Sequence, residues 1–238
     1  MSSQRMDGSL SDSALLEIAG WESFGSTDWP GHLTTTLFLQ GCPWKCTYCQ
    51  NPTMQNPRAG GAVAWSRVVA TLDRRRGLLD GVVFSGGEPT RQRALLTAMQ
   101  EVKQMGYGVA LHTSGAYPKR LSAVIGELDW VGVDIKAAPA SYSRVTGVVN
   151  SGDKAWESLD VVMNSGVDYE VRLTVDPTVH SFRDVVDVVE ELRRRGARAP
   201  VLQEARADGA NPGYASQLAG RGLDAVLPPG ALPGLARR

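Results

Sequence analysis

Five times along this chain a strand-length apolar run ends in a polar turn and is followed by apolar residues at helical spacing. The runs are residues 32–39, 81–84, 107–111, 130–135 and 169–175, with 200–204 a sixth; the helical stretches are 65–76, 91–106, 121–128, 154–163 and 182–195. This rotation predicts a parallel sheet covered by helices, either closed toward a barrel or open and doubly wound. No G-x-G-x-x-G opens a helix after the first run, which disfavours the dinucleotide-binding form. Both architectures gather function at the carboxyl ends of the strands.

That rule sorts the polar features. Residues 41–51, GCPWKCTYCQN, follow the first run, and Ser85-Gly86-Gly87-Glu88-Pro89 follows the second. Thr113-Ser114-Gly115 ends the third, Asp134-Ile135-Lys136 the fourth, and Arg172 lies on the fifth. All three cysteines, Cys42, Cys46 and Cys49, fall in the first of these loops at C-x3-C-x2-C spacing, so their thiolates can converge on one metal centre. A closed zinc site takes four Cys or His ligands, and His32, His112 and His180 stand far off without paired spacing. A cubane iron–sulfur cluster takes three thiolates and leaves one iron open to a substrate or cofactor. Three cysteines cannot all pair as disulfides. Zinc and cluster both stay open on spacing alone.

With 238 residues, 42% of them hydrophobic, the chain can bury a large core. Its 25 basic and 25 acidic residues balance, leaving no footprint for nucleic acid or an anionic membrane. Arg74-Arg75-Arg76 and Arg193-Arg194-Arg195 each close a helical pattern before a glycine, where cations complement the helix dipole. The N-terminus lacks a basic region leading into a long apolar one, which predicts a cytoplasmic protein. Residues 1–31 read as a leader and loop, 32–204 as the barrel domain, and 205–238 as an extension with a turn at 211–213, a last short strand at 223–227 and a loose tail. Trp44, Trp65, Trp130 and Trp156 read as packing residues, and His32 and His180 as histidines without chemistry.

The cysteine spacing after the first strand, Tyr48 just before the third cysteine, and Gly86-Gly87-Glu88-Pro89 after the second strand together resemble the radical S-adenosylmethionine (SAM) superfamily. Asp28 to Gly31, the ending Cys49 to Asn51, Thr113-Ser114-Gly115 and Asp134-Ile135-Lys136 resemble its activating enzymes of glycyl radical enzymes, nearest those of anaerobic ribonucleoside-triphosphate reductase. The likeness covers residues 24–204, and its first two motifs are the specific ones.

The resemblance implies an α/β fold, a partial (β/α)6 barrel, with a [4Fe-4S] cluster on Cys42, Cys46 and Cys49 and SAM on the open iron. It places Tyr48 near the adenine and Gly86, Gly87 and Glu88 at the methionine amino group. Thr113 and Asp134 fall at the carboxylate or at a monovalent cation, Arg172 within reach of the cofactor, and Lys136 on the side where a partner protein enters. One electron from a low-potential donor would cleave the S–C5′ bond, and the 5′-deoxyadenosyl radical would take hydrogen from a glycine Cα of the partner. Two departures stand out: Gln50 where relatives often have His, and His112 where activating enzymes often have an acid, which weakens a cation site. The alternatives are a small-molecule radical SAM synthase of the 7-deazaguanine-precursor type, which predicts a pocket closed by the C-terminal segment, and a zinc scaffold without redox chemistry.

Overall fold

The structure is a computed structural model and describes residues 12–238; the first part of the expected leader lies outside the described residues. Its sheet has seven strands in sequence order: β1 (Ile18–Gly25), β2 (Thr34–Leu39), β3 (Gly81–Gly86), β4 (Gly108–Thr113), β5 (Trp130–Asp134), β6 (Asp168–Val175) and β7 (Val201–Glu204). β1 runs antiparallel to β2, and every later pair is parallel. The helices are α1 (Trp65–Arg74), α2 (Leu95–Gln104), α3 (Pro118–Val124), α4 (Tyr142–Thr146), α5 (Ser151–Ser165), α6 (Phe182–Arg194) and α7 (Pro212–Leu218).

An unbroken strand order decides between the two architectures that the sequence leaves open. A doubly wound sheet reverses its order at a switch point, and this one never does. Right-handed crossovers that always step to the next strand put their helices on one face, so the sheet curls and its bare face becomes the inside of a partial barrel. The two apolar clusters record this. Val82 and Phe84, Val109 and Leu111, and Val131 and Val133 pack with the helices, whereas the alternate residues Val83, Ala110 and Trp130 gather with Trp29 in a second cluster that holds no helical residue.

Trp29 plugs the barrel's amino end. Its ring stacks on Trp130 with centroids 6.3 Å apart, and a Cβ on Gly81 or Gly108 would stand 2.7 or 3.0 Å from it. The small residues that begin β3 and β4 are therefore the plug's socket.

Three expectations are corrected. The stretch from Trp21 to Gly31 that reads as a loop begins in β1, paired with β2 and covered on its other side by Ala62 and Val63, whose N–H groups donate to the Ile18 carbonyl. Residues 223–227 form a 3-10 turn at Leu223–Ala225 rather than a strand. The tail is not loose: Leu202 N–H donates to Ala236 O, Arg238 N–H to Leu202 O, and Glu204 N–H to Arg238 O, so the tail covers the open edge of β7. Apolar spacing misses such contacts because they are made by backbone. The arginine runs do close α1 and α6, with Arg195 pairing with Asp160 at 2.9 Å and lying over Trp156.

Candidate functional site

The carboxyl ends of the parallel strands surround a cavity of about 490 Å³. Cys42, Cys46, Cys49, Tyr48, Gly86, Gly87, Thr113, Asp134, Lys136, Arg172 and His112 all line it. Sequence positions more than a hundred residues apart are thus brought to one rim by topology alone.

The cysteine loop is held from every side. Gly41 N–H donates to Met54 O and Cys42 N–H to Gln55 O, while the amide of Gln40 reaches Thr53 O and Asn56 O. From the far side, Lys45 and Thr47 donate backbone N–H groups to Thr146 O and Val145 O at the end of α4. Thr47 Oγ1 donates to Asp176 Oδ2 at 2.6 Å, and Trp44, 2% exposed, packs edge-on against Tyr142. The three thiols are half-buried. Burial pushes the Cys42 thiol up to about 12, with Glu88 and Cys46 adding to it, and burial likewise raises Cys46. In so dry a place the Cys42 and Cys46 thiolates need a bound cation to stay ionised.

The two glycines, besides lining the cavity, have a structural task. Gly86 has φ 114°, and a Cβ there would lie 2.1 Å from Leu39 N; one on Gly87 would lie 2.5 Å from Gly41 O. Gly87 N–H donates to Leu39 O and Glu88 N–H to Gly41 O, both at 2.9 Å. The end of β3 therefore crosses the root of the cysteine loop backbone to backbone, which only glycine permits.

Glu88, expected to offset the cofactor's ammonium group, has no exposed surface. Its carboxylate accepts from five groups: Thr90 N and Oγ1, Thr113 Oγ1, and Ser114 N and Oγ. That fills its lone pairs, so the residue can meet a ligand only through its backbone. Thr113 spends its hydroxyl proton on Glu88 and accepts from Gly115 N–H at 3.0 Å.

The floor is built on His112. Its Nε2–H donates to Asp28 O at 2.7 Å and its Nδ1 accepts from Ser85 Oγ at 3.2 Å, a tautomer that follows from the carbonyl partner. Burial first, then Arg172, lowers its pKa to about 4, so the ring is neutral. Arg172 is buried, with Nε on Glu170 at 3.1 Å, Nη2 on Asp28 O at 3.2 Å, and its guanidinium over Trp130.

Lys136 is 6% exposed, lines the cavity and pairs with Asp134 at 3.0 Å. Asp134 raises the Lys136 pKa well above its usual value against the cost of burial, and Lys136 with Arg172 holds Asp134 below the carboxylate range. The ammonium lies 5.5 Å from the Tyr48 ring centre, and the Tyr48 hydroxyl is buried without a hydrogen-bond partner. His180 is structural as expected, accepting from Asp176 N–H and donating to Lys136 O.

Asp176 was missed. Wholly buried, it binds Thr47, Thr178 and Tyr214, joining the cysteine loop to α7. It follows β6 directly, so the strand-end rule would have found it. Glu170 and Arg238 were missed too; they form one network with Arg172.

The donor set fits a cluster. Three soft thiols share one loop, and among the described residues no three His, Cys, Asp or Glu side chains gather around a single ion, a grouping that thiolates on three different irons do not require.

The family model described as the Radical SAM superfamily matches residues 36–192. The chain belongs to that superfamily, whose enzymes use a [4Fe-4S] cluster and SAM. It is 30% identical over 183 residues to the pyruvate formate-lyase-activating enzyme of Clostridium pasteurianum, covering 72% of this chain and 75% of that one. It is 26% identical over 183 residues to a Methanocaldococcus jannaschii protein provisionally named a glycyl-radical enzyme activating enzyme, covering 74% and 75%. Within the superfamily it thus belongs with the activating enzymes of glycyl radical enzymes. In fold it resembles Streptococcus suis SuiB (TM-score 0.54, 16% identity, 74% of this chain and 39% of that one). It also resembles anSMEcpe with bound AdoMet (TM-score 0.54, 16% identity, 75% and 55%). No described helix is long and apolar enough to cross a membrane.

Proposed function

We propose that this chain generates a glycyl radical on anaerobic ribonucleoside-triphosphate reductase, with Cys42, Cys46 and Cys49 as the ligands of its cluster. The observation that carries the reading is the placement of three half-buried thiols on the rim of the cavity that Gly86, Gly87, Asp134 and Arg172 also line. The choice of reductase rests on the motif resemblance; pyruvate formate-lyase, named for the relatives, is the control partner. When bound, the cluster supplies the electron that breaks the cofactor's S–C5′ bond, so that hydrogen can be taken from a glycine Cα.

The chain's own residues prepare that event. The Glu88 hub and the glycine crossing fix the β3 and β4 ends against the cysteine loop, so the thiols and the cofactor's amino group share one rigid frame. Tyr48 offers an unspent hydroxyl, and its backbone stands beside Cys49 for the adenine. Asp134 and Lys136 line the cavity as a paired charge, and a partner loop enters on their side. A low-potential donor reduces the site, and the setting is the cytoplasm.

One observation favours a second reading: Gln203, Glu204, Ala205, Arg206 and Arg238 reach the cavity, as a small-molecule synthase closed by its C-terminal segment would have them. The test is anaerobic. The reconstituted, reduced chain is incubated with SAM and each reductase or lyase, and 5′-deoxyadenosine and the glycyl radical signal are followed. A radical on the ribonucleotide reductase alone supports the reading; 5′-deoxyadenosine formation that no partner enzyme accelerates supports the second.

A further inference from the structure

Resting on the activase reading, a further conclusion concerns the monovalent cation that the resemblance implies beside Thr113 and Asp134. The residues there do not fit one. A hard cation needs several free oxygen ligands. The Thr113 hydroxyl is committed to Glu88 and Gly115, and His112 has one ring nitrogen protonated toward Asp28 O and the other accepting from Ser85. Among these side chains that leaves the Asp134 carboxylate, already 3.0 Å from the Lys136 ammonium.

A positive charge is built in instead. The Arg172 guanidinium lies 3.1 Å from His112 Nε2, and Arg172 is the register partner of Asp134 across β5 and β6. It lies flat over Gly132, where a Cβ would meet its Cζ at 2.9 Å, so the sequence has cleared a space for it. Glu170 is shared between Arg172 and Arg238, leaving the three with a net positive charge. An acid at position 112 would pair with Arg172 and cancel its charge toward the cavity; a neutral imidazole leaves it in force. We propose that Arg172 takes the place of the monovalent cation, and that this enzyme binds its cofactor carboxylate without sodium or potassium.

The test uses the full chain with its cluster reconstituted anaerobically. SAM affinity is measured calorimetrically, and independently by the change SAM causes in the reduced-cluster electron paramagnetic resonance signal, in potassium, sodium or choline chloride at equal ionic strength. Wild-type affinity is expected to agree within about twofold across the three salts. Arg172→Gln should weaken binding by roughly tenfold or more, since a charge-assisted contact is lost, and potassium should not restore it. The double variant Arg172→Gln with His112→Asp should regain affinity in potassium but not in choline. A wild-type loss of about tenfold in choline would overturn the proposal even if the variants fail to fold. So would an Arg172→Gln variant, folded by circular dichroism, that binds as tightly as wild type. A wild-type chain that assembles no cluster and binds no SAM in any salt would instead overturn the activase reading.

Discussion

The buried carboxylate of Glu88 holds Ser114 twice, accepting its backbone N–H at 2.8 Å and its hydroxyl at 2.5 Å, and so pins the loop after β3 to the end of β4. Glu88→Gln turns an amide N–H₂ toward the backbone N–H of Thr90 or of Ser114, which can only donate. The expected cost is about 2–4 kcal/mol, because buried donors lose a charged acceptor and meet a donor instead. Denaturant unfolding of the anaerobic protein measures it, and a midpoint equal to wild type would show that the carboxylate is not the hub.

The glycine crossing makes a separate prediction. Gly87→Ala puts a methyl group where only 2.5 Å separates it from Gly41 O, so the cysteine loop must move. Iron bound per chain after reconstitution should fall several-fold. Gly126→Ala, with open space around its Cβ, is the control and should stay within about 0.5 kcal/mol of wild type in stability. Equal iron in both variants would mean that the loop tolerates the shift.

His112 sets a pH dependence. Its folded pKa, about 4 against an ordinary 6.5, means that the unfolded chain binds more protons between these values, so stability is full above pH 6.5 and falls as the pH drops toward 4, by on the order of 3 kcal/mol. His180, lowered by burial, acts in the same direction. Asp134, Asp184 and Glu191, whose pKa values are depressed, lose their contributions only at lower pH, below the ordinary carboxylate values. Unfolding midpoints between pH 4 and 7 should slope steeply in wild type and less in His112→Gln; parallel curves would reject a neutral buried His112.

Much of this site is legible in the sequence because its determinants are local. Cys42, Cys46 and Cys49 share one loop, and the Gly-Gly pair, Thr113 and Asp134 each end an apolar run, which in a parallel sheet assigns them to one rim. What sequence could not give is partnership between distant side chains. Nothing in the spacing says that Glu88 would be saturated by Thr113 and Ser114, that Lys136 would turn inward to Asp134, or that Trp29 would plug the barrel through Gly81 and Gly108. β1 was hidden for another reason: its burial along Ile18–Gly25 alternates weakly, so as an edge strand it carries little apolar period to read.

The cover over β7 gives the last prediction. Leu202 and Glu204 donate to the carbonyls of Ala236 and Arg238, and Arg238 reaches Glu170 at 2.8 Å. Deleting residues 236–238 leaves the core untouched, since none of the three belongs to it, but strips two amides of their acceptors and opens an edge strand to solvent. Hydrogen exchange at Leu202 and Glu204 should quicken by roughly tenfold or more, the loss of about 1.4 kcal/mol of local protection, while exchange in β3 and β4 stays put. The deletion also leaves Glu170 to Arg172 alone and removes the net positive charge of the three, so SAM affinity should fall. Unchanged exchange at Leu202 would mean that the tail's pairing with β7 does not persist in solution, and unchanged SAM affinity would mean that Arg238 adds nothing to the charge at Arg172.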